Sequence, residues 1–476
     1  MSWARALLFV KTFGTQQGPG INPRAFFGWR ALPVVVSLAD RESTLPSTFL
    51  VNRISMQMRI RLWLVLSLLV SGTTWLYMHR VLEPWEYYVK VETGLLKAQF
   101  DDLYSPWMGT RALLLHGMNP YGPEVSHEIQ MEFYGRIIEQ KYDDPFKIID
   151  EQRFAYPVYV VLLMAPAAYV DLAQLRAWSP VILASLTALS VLLWLEVLRW
   201  RPPRMIVVSL ILFVLSSPQA AQGLLLRQLG LLVGCLLALA TWCVSRRHLA
   251  TAGIALAVAT IKPQIVVLPL VWFLLWAAGN WGKRWRLIAG FAVAMAALVG
   301  AGEWILPGWI GYFIAGIAAY RRYGLGVSLL RLALGDWIGG AITGVLVAGV
   351  LIFGWKNRKH AEDSPQFGLA LAVFCMGAAL ALPLLTPFNQ VLLILPAAMI
   401  LRDWAALPNV LRIAFVTIVS WPCVTALALL FFPPDLHSPN RLPLLPSLLV
   451  LWFPFILPLL VRATQRGSAQ LTSPTC

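Results

Sequence analysis

Apolar runs long enough to form membrane-crossing helices recur along this chain from Ile60 onward. They fall at roughly 60–78, 154–172, 176–198, 205–222, 224–244, 249–262, 264–279, 286–306, 337–355, 367–386, 388–401, 411–431 and 444–461. A hydrocarbon core of roughly 30 Å takes about 20 apolar residues per helical span. Runs such as Leu231–Ala240 do not alternate apolar with polar positions, so they predict helices and not the strands of a barrel. One long polar stretch, residues 80–153, separates the first run from the rest. It predicts two helices, Leu103–His116, stopped by Gly117-Met118-Asn119-Pro120, and Glu124–Gln140. Pro157 and Pro166 interrupt the run at 154–172, which reads as a re-entrant or interfacial piece. Such irregular backbone is tolerated at membrane depth only where protein or a cavity shields it. The remaining runs predict an all-α polytopic membrane protein of 12 spans with both termini in the cytoplasm.

Composition agrees: 58% of residues are hydrophobic, 13% are charged, and mean hydropathy is +0.68. The net charge of +15 changes the picture only when placed along the chain. The clusters Arg199/Arg201/Arg204, Arg246/Arg247, Lys283/Arg284/Arg286, Lys356/Arg358/Lys359 and Arg462/Arg466 sit between apolar runs and mark cytoplasmic loops. They are not a nucleic-acid surface. Residues 80–153 hold 13 of the 23 acidic residues and 8 of the 38 basic ones, which places them outside the cytoplasm as a large first extracytoplasmic loop.

Residues 1–55 mix charge, Gly and Pro and predict no span. They read as a poorly ordered or spurious N-terminal extension. Met56–Arg61 followed by Leu62–Val70 reads as a natural start, with Ile60–Met78 an uncleaved signal anchor. Residues 56–465 then form the transmembrane domain, and 466–476 a cytoplasmic tail. Four of the five cysteines, Cys235, Cys243, Cys375 and Cys423, fall in or beside apolar segments, with no CxxC pair and no Cys/His spacing for a metal. No cofactor is called for, and a divalent metal is left open.

Ionisable groups in or beside apolar segments are costly and are functional candidates by default. Asp101 and Asp102 stand at the start of the first outer helix, where Asp also serves as a cap. Lys262 ends the run Ala250–Ile261 ahead of Pro263; it either snorkels to the interface or anchors an anion. Arg227-Gln228 interrupt the run Gly223–Ala240 on the same expected side, so Arg227 is a second cation for a phosphate clamp. Further candidates for substrate contact are His116, Asn119 and Tyr121 at the Gly-x-Asn-Pro turn, Tyr156, the outer-loop Arg321 and Arg322, and the amides Asn389 and Gln390. There is no Walker A sequence and no GxGxxG with a following acidic residue. The one long polar stretch is too short for an ordinary nucleotide-sugar domain.

The ordered set of motifs resembles a known family. Asp102-Leu103 leads into Arg111-Ala112-Leu113-Leu114 and Gly117-Met118-Asn119-Pro120-Tyr121. Phe154-Ala155-Tyr156-Pro157 follows with Pro166, then Arg227-Gln228, then Arg246-Arg247 before Ala252-Gly253, then Ile261-Lys262-Pro263. The order is similar to that of the polyprenyl-phosphate-dependent glycosyltransferases of the GT-C superfold, specifically the bacterial mannosyltransferase-like glycosyltransferase family 87. The resemblance covers roughly Ile60–Asn280. It implies a GT-C-like helical bundle and inverting transfer of a mannose-like hexose or a pentose from a polyprenyl-phosphate carrier to a lipid, glycan or protein acceptor. It implies that this happens at the outer face of the cytoplasmic membrane. It also implies a first-loop Asp as general base, which falls on Asp102 with Asp101 as its competitor, and a donor phosphate near Lys262, Arg227 and Gln228. The rival classes are a transporter or flippase for a lipid-linked sugar, expected to carry internal repeats that are not seen here, and a non-catalytic scaffold.

Overall fold

The computed structural model describes residues 45–84, 101–138, 151–323, 328–381 and 387–431. The expected span at 444–461, the tail 466–476, the loop 432–443 and residues 1–44 of the N-terminal segment lie outside the described residues. Among the described residues every regular element is helical. In chain order these are α1 (Leu45–Tyr77, continued by a π-helical turn Met78–Leu82), α2 (Tyr104–His116), α3 (Pro123–Tyr134), α4 (Val160–Met164, continued by a 3-10 turn Ala165–Tyr169) and α5 (Leu172–Val197). Then come α6 (Arg204–Leu215), α7 (Pro218–Leu225), α8 (Gly230–Ser245), α9 (Leu249–Ala259), α10 (Pro263–Ala278) and α11 (Trp281–Ile305). The remainder are α12 (Trp309–Tyr323), α13 (Leu329–Leu334), α14 (Asp336–Asn357), α15 (Pro365–Ala381), a 3-10 helix Pro387–Leu393, α16 (Ile394–Arg402), a 3-10 turn Trp404–Ala406 and α17 (Asn409–Phe431).

Among the described residues four helices are long and apolar enough to cross a membrane: Ile60–Leu82, Leu172–Val197, Trp281–Ile305 and Asp336–Asn357. The pair α6 and α7, bent by 62°, is a fifth if taken as one span. Further apolar helices, among them α8, α9, α10 and α15, have only 10–17 residues. At 1.5 Å per residue, the 11 residues of α9 reach about 16 Å, roughly half of a hydrocarbon core. The proline-interrupted piece is Val160–Tyr169, shorter again. The helix expected over Glu124–Gln140 ends earlier, at Tyr134, because Gly135 adopts a left-handed φ of 67° and its N–H caps Met131 O.

Sequence explains the breaks. Ser217 caps α7 by accepting from Ala220 N, and Pro218 takes the first helical position, so α6 cannot run on into α7. Pro263 does the same for α10, with Lys262 in a non-helical backbone conformation (φ −128°, ψ 74°) just before it. Between lipid-facing helices there is little hydrophobic drive, so association rests on close packing. Helices α9 and α11 meet through two glycines: a Cβ on Gly253 would lie 2.2 Å from Leu287 O, and one on Gly290 would lie 2.3 Å from Ala250 O. On the other side of α9 and α10 sits an aromatic core. Trp272, Phe273 and Trp276 of α10 are fully buried and pack against Phe367 and Phe374 of α15 with ring centroids 5.1–6.1 Å apart.

Helix α5 links two polar layers. Arg176 in its second turn pairs with Asp101, and Glu196 near its end pairs with Arg246. Roughly 20 residues separate the two, about 30 Å along the axis, which is the thickness of a hydrocarbon core. At the Glu196 end the basic clusters gather: Arg247 pairs with Glu362, Arg199 with Asp363, and buried Arg284 donates to the carbonyls of Trp276, Arg358 and His360. The Gly253 contact makes a test of this packing. Gly253→Val should cost about 1–3 kcal/mol from overpacking, seen as a lower thermal midpoint in detergent. Gly300→Ala, on the same α11 but with open space around its Cβ position, should leave the midpoint unchanged or raise it slightly.

Candidate active site

The two neighbouring aspartates go to different places. Asp101 is fully buried. Its Oδ1 accepts from Leu103 N at 3.0 Å, and its Oδ2 accepts from Arg176 Nε at 2.8 Å with Arg227 Nη1 at 3.6 Å. It lies just ahead of α2 and pairs with two arginines. Asp102 faces the other way. Its backbone N–H donates to Leu226 O at 3.1 Å, pinning the outer loop to the end of α7. Its carboxylate oxygen Oδ2 accepts a hydrogen bond from Gln228 Nε2. Gln228 Oε1 in turn accepts from Lys262 Nζ. One chain of hydrogen bonds thus runs from the outer loop, through the α7–α8 turn, to the break between α9 and α10.

The local backbone explains why Gln228 reaches there. The α7–α8 turn is a Schellman cap: Gln228 N donates to Gly223 O at 2.8 Å and Arg227 N to Leu224 O at 3.2 Å. The left-handed position of that cap usually belongs to glycine. Here Arg227 takes it with φ 53°, a strain of about 1 kcal/mol or more, offset by its contacts to Asp101 and to Arg176 O. Arg227 is therefore turned to Asp101, whereas Gln228 is the residue joined to Lys262.

Lys262 is 6% exposed. Its ammonium lies 4.9 Å from the centroid of the Phe388 ring and has three N–H groups, one of them given to Gln228. A buried ammonium is costly without anionic partners, and its link to a carboxylate runs through Gln228 to Asp102. Asn389 and Gln390, buried, follow Phe388 on the 3-10 helix. Tyr159 holds the same break from the other side, with its hydroxyl 2.8 Å from Thr260 Oγ1 and 3.1 Å from Thr260 O.

Tyr156 stands beside Asp102. Burial, and then the Asp102 carboxylate, push its phenol well above the ordinary tyrosine range, so it is a hydrogen-bond donor and not a base. Tyr121 donates from its hydroxyl to Tyr156 O at 2.6 Å and packs edge-on against Phe154. Asn119 Oδ1 accepts from Tyr121 N at 3.0 Å, closing the turn. The Gly-x-Asn-Pro-Tyr turn thus supports Tyr156. His116 is exposed in the last turn of α2. Arg321 and Arg322 lie at the end of α12, and their side chains are outside the described residues. Arg176, Phe388 and Gln219 are the site residues that sequence reasoning missed. Arg176 had a signal: a cation at the start of a span, on the same expected side as Asp101. Among the described residues no group of three His, Cys, Asp or Glu could hold a metal ion.

A helical membrane protein with a buried cation, amide and carboxylate in series at a helix break is the class that fold and site define. The profile of glycosyltransferase family 87 matches residues 154–387. That match, over just under half of the chain, supports the glycosyltransferase family 87 resemblance carried by the motif order. The matched region holds Arg227, Gln228 and Lys262; Asp101 and Asp102 precede it. Comparison with curated proteins and with solved structures gave no match.

The separate surroundings of the aspartates give a prediction. Asp101→Asn keeps the acceptor for Leu103 N–H and removes the charge between Arg176 and Arg227. It should lower stability by about 1–3 kcal/mol, read as the thermal midpoint in detergent. An unchanged midpoint would contradict a structural role for Asp101.

Proposed function

We propose that the protein transfers a sugar from a polyprenyl-phosphate carrier to a hydroxyl acceptor at the outer face of the cytoplasmic membrane, with Asp102 as general base. The acceptor hydroxyl attacks the anomeric carbon, and its proton passes to Asp102. The bond between that carbon and the phosphate oxygen breaks, and its electron pair leaves with the polyprenyl phosphate. Attack opposite the leaving group inverts the anomeric centre. A sugar hydroxyl is a weak nucleophile, so a positioned carboxylate is needed. The oxocarbenium-like charge at the reacting carbon resembles that in glycoside hydrolysis.

The observation that carries this reading is the chain Asp102–Gln228–Lys262. It joins a carboxylate and a buried cation through one amide, which supports a single site for both. Lys262 would stabilise the phosphate as it leaves. Arg227, held by Asp101, adds positive potential behind Gln228 and is the second cation of the site. Tyr156 would donate to an oxygen of the bound sugar. The donor is a mannose-like hexose or a pentose on its lipid carrier, and the acceptor a lipid, glycan or protein. The 12-span topology with residues 80–153 outside belongs to the same reading, as does the GT-C-like bundle. No internal repeat or second copy of the outer loop favours a flippase.

Transfer of labelled sugar from a synthetic polyprenyl-phosphate donor by purified protein tests the proposal. Asp102→Asn should lower the rate about 10²–10⁴-fold with little change in thermal midpoint, since Asn keeps the size and the acceptor for Gln228. Activity within about threefold of wild type would remove Asp102 from the mechanism. Lys262→Ala should raise the donor concentration needed for half-maximal rate. A loss of protein yield with unchanged donor dependence would return Lys262 to a snorkelling role.

A further inference from the structure

Two short elements meet beside Lys262 and carry amides with no charge among them. Gln219 and Gln222 lie one turn apart on one face of α7. Gln390 lies on the 3-10 helix Pro387–Leu393, which packs against α7. Gln219 Nε2 donates to Gln390 Oε1 at 3.4 Å. That leaves Gln390 Nε2, on a side chain only 1% exposed, without a hydrogen-bond partner. The buried Oε1 of Gln222 is likewise unpartnered. Buried polar atoms are nearly always satisfied, so an orphaned donor and an orphaned acceptor on packed elements need an explanation.

The cluster is held in place. A Cβ on Gly234 of α8 would come 2.9 Å from Val391, so the 3-10 helix rests directly on α8. Gly230, one turn earlier, leaves its Cβ position 3.4 Å from Phe388 O and 3.6 Å from Lys262 Nζ. Phe388 is two residues before Gln390, with its ring against the Lys262 ammonium. Gln390 thus follows two residues after the ring that covers the cation, and Gln219 on α7 is joined to it. If they only joined helices across the bilayer, their donors and acceptors would satisfy each other. A neutral N–H donor and a neutral carbonyl acceptor, without a formal charge, match a group that both accepts and donates. A phosphate only accepts. A sugar hydroxyl does both.

We infer that Gln390 and Gln222 form the hydroxyl-recognition subsite for the sugar of the donor, set beside the cation that binds its phosphate. This rests on the lipid-phosphate-sugar reading above and adds the residues that select the sugar. Sites built to hydrogen-bond a hydroxyl discriminate strongly, because its absence strands their own buried groups.

Equilibrium binding in detergent tests it without requiring turnover. The probes are a short-chain polyprenyl phosphate and the same lipid carrying mannose or a pentose. Wild type should bind the better glycosylated lipid about tenfold or more tightly than the bare lipid. Gln390→Met should bring that ratio close to one and leave the affinity for the bare lipid unchanged. Gln222→Met, on the other element, should reduce the ratio in the same direction and guards against a folding defect in the first variant. A ratio unaltered in both variants, or a ratio of one in wild type, overturns the inference. Failure of the phosphate reading has a different signature: bare-lipid binding that Lys262→Ala leaves unchanged.

Discussion

The organisation of this protein depends on Gln228, whose amide joins a buried ammonium to a carboxylate. An amide has one acceptor end and one donor end. Lys262 occupies the first and Asp102 the second. Burial of the Lys262 ammonium carries a desolvation cost, which the Gln228 amide and the Phe388 ring offset in part. The bridge ties three separate stretches together: the outer loop before α2, the cap between α7 and α8, and the break before α10. The Schellman cap aims Gln228 inward and forces Arg227 into a left-handed conformation. Asp101 then becomes necessary, because it pairs with both Arg227 and Arg176 just ahead of the helix that carries the outer-loop motif.

Broken helices make this possible. A continuous helix satisfies its own backbone and presents only side chains. The Pro-led starts at Pro218 and Pro263, with the 3-10 helix at Pro387, interrupt the helices and bring polar side chains into the interior of the bundle. Long helices carry the load around them. Helix α5 spans from the Arg176–Asp101 pair to the Glu196–Arg246 pair, and α11 packs on α9 through glycine contacts. Rigid packing on both sides leaves the breaks well defined, which a site needs if it is to hold reacting groups within a fraction of an ångström.

Much of this was legible in the sequence. Two of the apolar runs match helices closely: 176–198 corresponds to Leu172–Val197, and 337–355 to Asp336–Asn357. The first outer helix starts at Tyr104, one residue from the expected Leu103. The family followed from the order of motifs. What sequence pattern could not separate was Asp101 from Asp102, since neighbouring residues share composition and differ only in the tertiary partner each one faces. It also grouped Arg227 with Lys262 by side of the membrane, and could not say that the turn's left-handed residue would point to Asp101. Gln219 and Gln222 carry no local signal, because glutamine in an apolar helix reads as unremarkable until another element strands its amide. Helix lengths were the other limit. Hydropathy runs do not tell a full span from two half-length helices meeting at a proline.

The most direct test of the account is a double-mutant cycle on single-turnover sugar transfer with Asp102→Asn and Gln228→Met. If the amide works by positioning the carboxylate, Gln228→Met slows transfer in the wild-type background and has little further effect once Asp102 is Asn. Losses that simply multiply would mean that the two residues act independently, and would contradict a single site built on the Gln228 bridge.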